Sequence, residues 1–180
     1  MFWGIYREGY STFKFGITFD VYELEILLDI PYNHAEHDQI LRQNIRQEDE
    51  FGCGAACLAQ VCGITYRTAV ELLGIDKARS QGFYGRELEA GLRHFGKSYQ
   101  FRYLKPRLRR HIYNPGVIVF ICRSKRYPFG HYLVYTNCGW SDSWINMQHC
   151  TDVQQSTAGV RKRLPGRAQY ALFPDSLELL

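Results

Sequence analysis

The sequence has no run of eighteen apolar residues, so no segment has the length and character of a membrane-spanning helix. The opening stretch, MFWGIYREGYSTF, lacks a basic start followed by an apolar core, and a secretory signal is not expected. Position 2 is Phe and the last residues read LELL, so lipidation is not expected either. No CxxC pair occurs among the six cysteines, Cys53, Cys57, Cys62, Cys122, Cys138 and Cys150. His34 with His37, or His149 beside Cys150, has no second half at zinc-binding spacing, so neither a metal nor a cofactor is expected. Disulfide staples are not needed by a chain of 180 residues, and three of the cysteines fall within ten residues. They read as reduced thiols in a cytoplasmic setting. No internal repeat and no low-complexity segment is present.

Acids are also missing from one long stretch. Between Lys97 and Ser141 there is no Asp or Glu, although the net charge of the whole chain is only +4. That span holds Arg102, Lys105, Arg107, Arg109, Arg110, Arg123, Lys125 and Arg126, and a second basic group (Arg161, Lys162, Arg163, Arg167) lies further on. The plain reading is a solvated basic face, with docking of an acidic protein surface as the functional alternative. Nucleic-acid binding is not expected, because no nucleic-acid motif accompanies the charge.

What is present is ample material for a core: 46% of residues are hydrophobic and 15% aromatic. Residues 1–46 read as an N-terminal extension. It comprises a β-hairpin over 2–19, a short helix over 20–30 that stops before Pro31, and a polar helix over 35–46. Residues 47–180 read as one domain. Helices are predicted from Cys53 to Cys62 with Gly63 as the stop, from Thr65 to Leu73, and from 85 to 95 with Leu88, Leu92 and Phe95 on one face. Residues 74–84 read as a loop. After Gly96 the pattern changes to strands at 99–104, 117–122, 131–136, 142–147 and 168–173. VIVFIC is apolar on both sides and should be a central strand. Helices followed by consecutive strands imply an α+β domain with an antiparallel sheet.

The chain is organised around residues 47–63, QEDEFGCGAACLAQVCG. Cys53 stands between two glycines at a predicted helix start. The amides of a first helical turn favour a thiolate there, and the glycines leave space for a reactant to approach the sulfur. Cys57 and Cys62 read as core packing on the same helix. A thiol nucleophile needs a base, a group that orients the base, and donors for an oxyanion. His131, at the start of the strand HYLVYT, is the candidate base. Asp142 and Asn137 are both candidate orienting groups. Asp142, read as opening the strand 142–147, would lie at the wrong end of an antiparallel pair unless the register shifted. Gln47 could donate its side-chain N–H to the oxyanion beside the Cys53 backbone N–H. The remaining histidines read as ordinary surface or core residues, and Trp140 and Trp144 as core or cleft rim.

These residues carry a resemblance. Gln47, then Cys53 six residues later within CGAAC, then GHYLVY with His131, then GWSDSW with Asp142, resemble the papain-like cysteine peptidases, specifically the stand-alone relatives of the bacteriocin-processing, double-glycine peptidases. The resemblance spans about residues 47–147. Gly52 stands where many relatives carry an acid, and Ser143 where they often carry proline. It implies a papain-like fold, helices packed on a C-terminal antiparallel sheet. It implies Cys53 as nucleophile, His131 as general base, Asp142 as its orienting group and Gln47 in the oxyanion hole. A peptide or isopeptide amide of a protein or peptide substrate would then be cleaved through a Cys53 thioester. Rival readings on the same fold are an acyltransferase or transglutaminase and a glutamine deamidase. From a different class comes a catalytically inactive protein-binding module that uses the basic 97–126 face.

Overall fold

The computed structural model describes residues 43–177. The hairpin and first helix expected in the N-terminal extension lie outside those residues, as does most of the 35–46 helix, whose described part, 43–46, is not helical.

Helix α1 (Cys53–Cys62) is followed by α2 (Tyr66–Leu73), α3 (Ile75–Ser80) and α4 (Gly85–His94). Strands β1 (Tyr99–Tyr103), β2 (Ile118–Ile121), β3 (His131–Thr136), β4 (Gly139–Asp142), β5 (Gly159–Arg161) and β6 (Ala168–Pro174) complete the fold. Two 3-10 helices, Pro106–Tyr113 and Val153–Gln155, lie between strands. The α+β arrangement expected from the sequence, helices first and an antiparallel sheet after, is the one observed.

Local signals set the helix ends. Gly63 ends α1 in the left-handed conformation at φ 67°, which a glycine adopts without Cβ strain. Thr65 caps α2 by accepting the Thr68 amide at 3.1 Å. The expected 74–84 loop is in part a helix, α3. Its six residues, IDKARS, are too few to show an apolar period.

The six strands run in the order β1-β6-β2-β3-β4-β5, every pair antiparallel. Both sheet faces are covered. On one, Ile118, Tyr132, Val134 and Leu172 pack against Ala55, Leu58, Ala59 and Val61 of α1 and Leu88 and Leu92 of α4. On the other, Val119, Ile121, Leu133 and Phe173 pack with Leu108 and Ile112 of the first 3-10 helix and with Tyr127. Double coverage explains why β2 reads apolar on both sides and lies inside the sheet, between β6 and β3. The alanines of α1 bring its axis close to the sheet, and a Cβ on Gly91 of α4 would come within 2.6 Å of Leu58 Cδ1. The central helix is thus held rigidly from both sides, and its first residue is Cys53. No helix among the described residues is long and apolar enough to cross a membrane.

Two strand assignments need correction. Residues 143–149 form turns rather than a 142–147 strand, and Asp142 ends β4 instead of opening the next strand. The alternation in DSWINM is that of a buried turn region, with Ser143 and Trp144 both buried. Strand β5, three residues long, carries no period in the sequence and is defined by its pairing with β4.

Candidate functional site

Helix α1 starts at the half-buried Cys53 itself. Its N-cap, Gly52, has no side chain and makes no capping bond, so the first-turn amides keep their partial positive charge beside the sulfur. Packing requires the glycine. A Cβ at position 52 would lie 1.8 Å from Tyr66 Oη, and that hydroxyl is committed to Asp49 Oδ2 at 3.0 Å. A side chain at this position is therefore sterically excluded unless Tyr66 moves.

His131 opens β3, and the residue before it, Gly130, is left-handed at φ 80°. A Cβ there would lie 2.2 Å from Phe120 Cζ, so the backbone turn that delivers His131 depends on glycine. The ring is buried and stacks on Tyr127 at 4.9 Å with a 16° interplanar angle. Its Nε2 donates to Asp142 Oδ1 at 2.8 Å. With Nε2 held by Asp142, Nδ1 is the nitrogen left to meet the Cys53 sulfur, whose charge acts on the ring.

The geometry that looked unfavourable in the sequence is resolved by the strand boundary. With β4 ending at Asp142, and Val134 paired with Ser141, the carboxylate comes up beside the start of β3. Asn137 lies in the turn at the far end of β3.

Asp142 is fully buried and makes four hydrogen bonds. Oδ1 accepts from His131 and from the Trp144 amide at 2.9 Å. Oδ2 accepts from Arg161 Nε at 2.6 Å and from the Tyr127 hydroxyl at 3.2 Å. Arg161 is held by a second bond, Nη2 to the Ile145 carbonyl at 2.6 Å. Burial works to raise the Asp142 pKa, but His131, Arg161 and the Trp144 amide hold it well below the usual carboxylate range. Burial likewise pulls His131 toward the neutral form. The Cys53 charge and the hydrogen bond to Asp142 outweigh it and push the imidazole up to about 10. Burial and the Asp142 charge push the Tyr127 phenol up to about 12, so it remains a donor.

Arg161 and Tyr127 were missed by the sequence reading. Arg161 sits diagonally from Asp142 across the β4–β5 pair, where Trp140 faces Arg161 and Asp142 faces Gly159. In the sequence it was one arginine in a basic cluster, and only the pairing of a three-residue strand distinguishes it.

Gln47 is buried, and its Nε2 donates to the Asp49 and Glu50 carbonyls at 3.0 and 3.2 Å while Oε1 accepts from Ser143 Oγ at 2.8 Å. These bonds shape the loop leading to Cys53 and tie it to the residue after Asp142. Gln47 does not line the cleft described next.

A cleft of about 680 Å³ opens on Cys53 and His131, a size typical of small-ligand and peptide subsites. Its walls come from residues 50–51, 81–84 and 127–130 and from the sheet. Trp140 and Trp144 are buried and are not part of it. Burial raises the thiol of Cys57 well above its ordinary value, and raises that of Cys62 to about 11, in keeping with packing roles. Among the described residues no group of three or more His, Cys, Asp or Glu side chains is arranged to hold a metal ion.

No family model and no curated protein matches the chain. Among solved structures it is similar to the peptidase domain of Streptococcus ComA, a bi-functional ABC transporter involved in a quorum sensing pathway. The identity is 22% and the TM-score 0.44, over 73% of this chain and 97% of that one.

Proposed function

We propose that the protein is a cysteine peptidase that cleaves a peptide or isopeptide amide through a thioester on Cys53. The observation that carries this reading is the Cys53–His131–Asp142 relay at the head of a buried helix and at the edge of an open cleft. The Cys53 thiolate attacks the amide carbonyl while His131 is protonated. The tetrahedral oxyanion is held by the Cys53 backbone N–H, and by Gln47 if one of its Nε2 bonds to the loop carbonyls is exchanged. His131 then gives its proton to the leaving amine, and the C–N bond breaks. Water, deprotonated by the now neutral His131, attacks the thioester, releases the acid and restores the thiolate–imidazolium pair. Asp142 keeps the Nε2–H bond throughout and so fixes the ring with Nδ1 toward sulfur.

The test is alkylation by iodoacetamide at slightly acid pH, read by peptide mass spectrometry in wild type and Cys53→Ala. The reading expects one rapidly modified site, lost in the variant. Equal labelling of the two proteins would overturn it.

A further inference from the structure

The cleft next to Cys53 has an uneven chemistry. Apart from His131, only Glu50 and Arg123 among its lining residues carry a full charge. The other basic side chains of the 97–126 segment do not line it. Its walls are aromatic instead. Four aromatic side chains are more than half exposed among the described residues, Tyr84, Tyr103, Tyr113 and Phe129. Three of these four, Tyr84, Tyr103 and Phe129, line this one cleft.

The rings are held from behind. Phe129, two residues before His131, meets Phe51, two residues before Cys53, edge to face at 5.0 Å. The loops that deliver the nucleophile and the base thus share one aromatic wall. On the sheet side Tyr103 packs against Tyr170 at 6.0 Å, and Tyr170 stacks on Phe120 at 4.7 Å and 7°. The Tyr170 and Tyr132 hydroxyls bond each other at 2.7 Å. The floor is therefore preorganised, and its outermost rings are left in water. Exposed aromatic surface of this kind gains most from contact with another apolar side chain.

We propose that the substrate is an extended peptide carrying an aromatic or large aliphatic side chain within the three residues on the acyl side of the bond attacked by Cys53. This deepens the peptidase reading and rests on it. Glycines alone at these positions would leave Tyr103 and Phe129 uncovered. An acidic or basic side chain there would have to lose water against uncharged rings.

The probes are acetyl-tripeptidyl chloromethyl ketones, in which the Cys53 sulfur displaces chloride from the methylene carbon and forms a thioether. Starting from the trialanyl compound, Phe, Gly or Asp is placed at each position in turn. Rates of Cys53 labelling by intact mass are divided by each probe's rate with free glutathione. The proposal expects Phe to exceed Gly and Asp by about tenfold or more in at least one position, on the order of one well-buried side chain. In Tyr103→Ala or Phe129→Ala that Phe-to-Gly ratio should fall to about threefold or less. Both side chains are largely exposed, so the substitutions leave the core intact, and a ratio taken within each variant cancels any change in the nucleophile. Equal normalised rates for Phe and Gly at all three positions would overturn the proposal, as would an unchanged ratio in both variants. Iodoacetamide labelling of Cys53 separates the two levels: labelling without Phe selectivity sinks only the substrate class, and no selective labelling at all sinks the peptidase reading.

Discussion

Replacing Arg161 by methionine keeps much of the side chain's length and removes its guanidinium. Asp142 then loses the 2.6 Å bond from Nε, and the Ile145 carbonyl loses its 2.6 Å partner. The carboxylate is fully buried and the Arg161 side chain is only 16% exposed, so water replaces little of what is lost. Removing one member of a buried ion pair costs about 3–5 kcal/mol. Three donors, from His131, Trp144 and Tyr127, remain on Asp142, so the lower end, about 3 kcal/mol, is expected. For a chain of this size that lowers Tm by about 6–12 °C. The cost also has a pH signature. Asp142 has a depressed folded-state pKa, so its contribution is fully present above the unfolded carboxylate value of about 4 and is lost as pH falls through the folded value. Arg161 is one cause of that depression. The stability gap between wild type and Arg161→Met should therefore be full at about pH 7 and should shrink at about pH 3, where Asp142 begins to take up a proton in the folded variant while the wild-type carboxylate stays ionised. Urea denaturation followed by circular dichroism at both pH values measures it. A gap under about 0.5 kcal/mol, the size of an ordinary surface substitution, or a gap that does not change with pH, would refute the claim that Arg161 holds the carboxylate ionised.

Gly52→Ala drives a methyl into the Tyr66 hydroxyl and should cost about 2 kcal/mol, measurable in the same denaturation assay, through displacement of Tyr66 from Asp49. Native-state titration with a thiol-reactive disulfide should modify the exposed Cys138 quickly, whereas the fully buried Cys57, its thiol raised by burial, should react only on unfolding. Asp142→Asn should leave a folded protein whose Cys53 alkylation slows by about a hundredfold or more, since His131 loses both its anchor and the charge that helps keep it protonated.

Much of the fold was legible because its signals are local. Gly63 and Thr65 mark the ends of α1 and α2, and the double-sided apolar run of β2 announces a covered central strand. Cys53 and His131 could be singled out because each sits beside a glycine, and the structure gives both glycines a steric reason, Gly52 against Tyr66 and Gly130 against Phe120. What escaped depends on pairing across the sheet. The end of β4 at Asp142 follows from its register with β3 and β5, not from the composition of GWSD. That boundary decides whether the carboxylate meets His131. Arg161 and Tyr127 lie 19 and 15 residues from Asp142 and converge on one oxygen atom through tertiary packing alone. The hydrogen bonds of Gln47 within its own loop were equally invisible, because a motif spacing does not reveal which way an amide points.

The central claim is that His131 activates Cys53. The rate of Cys53 alkylation by iodoacetamide, followed by mass spectrometry from about pH 5 to pH 9 in wild type and His131→Ala, tests it directly. Rapid wild-type labelling that persists at about pH 6 is expected, with a loss of about a hundredfold at that pH in the variant. Superimposable profiles for the two proteins would contradict it.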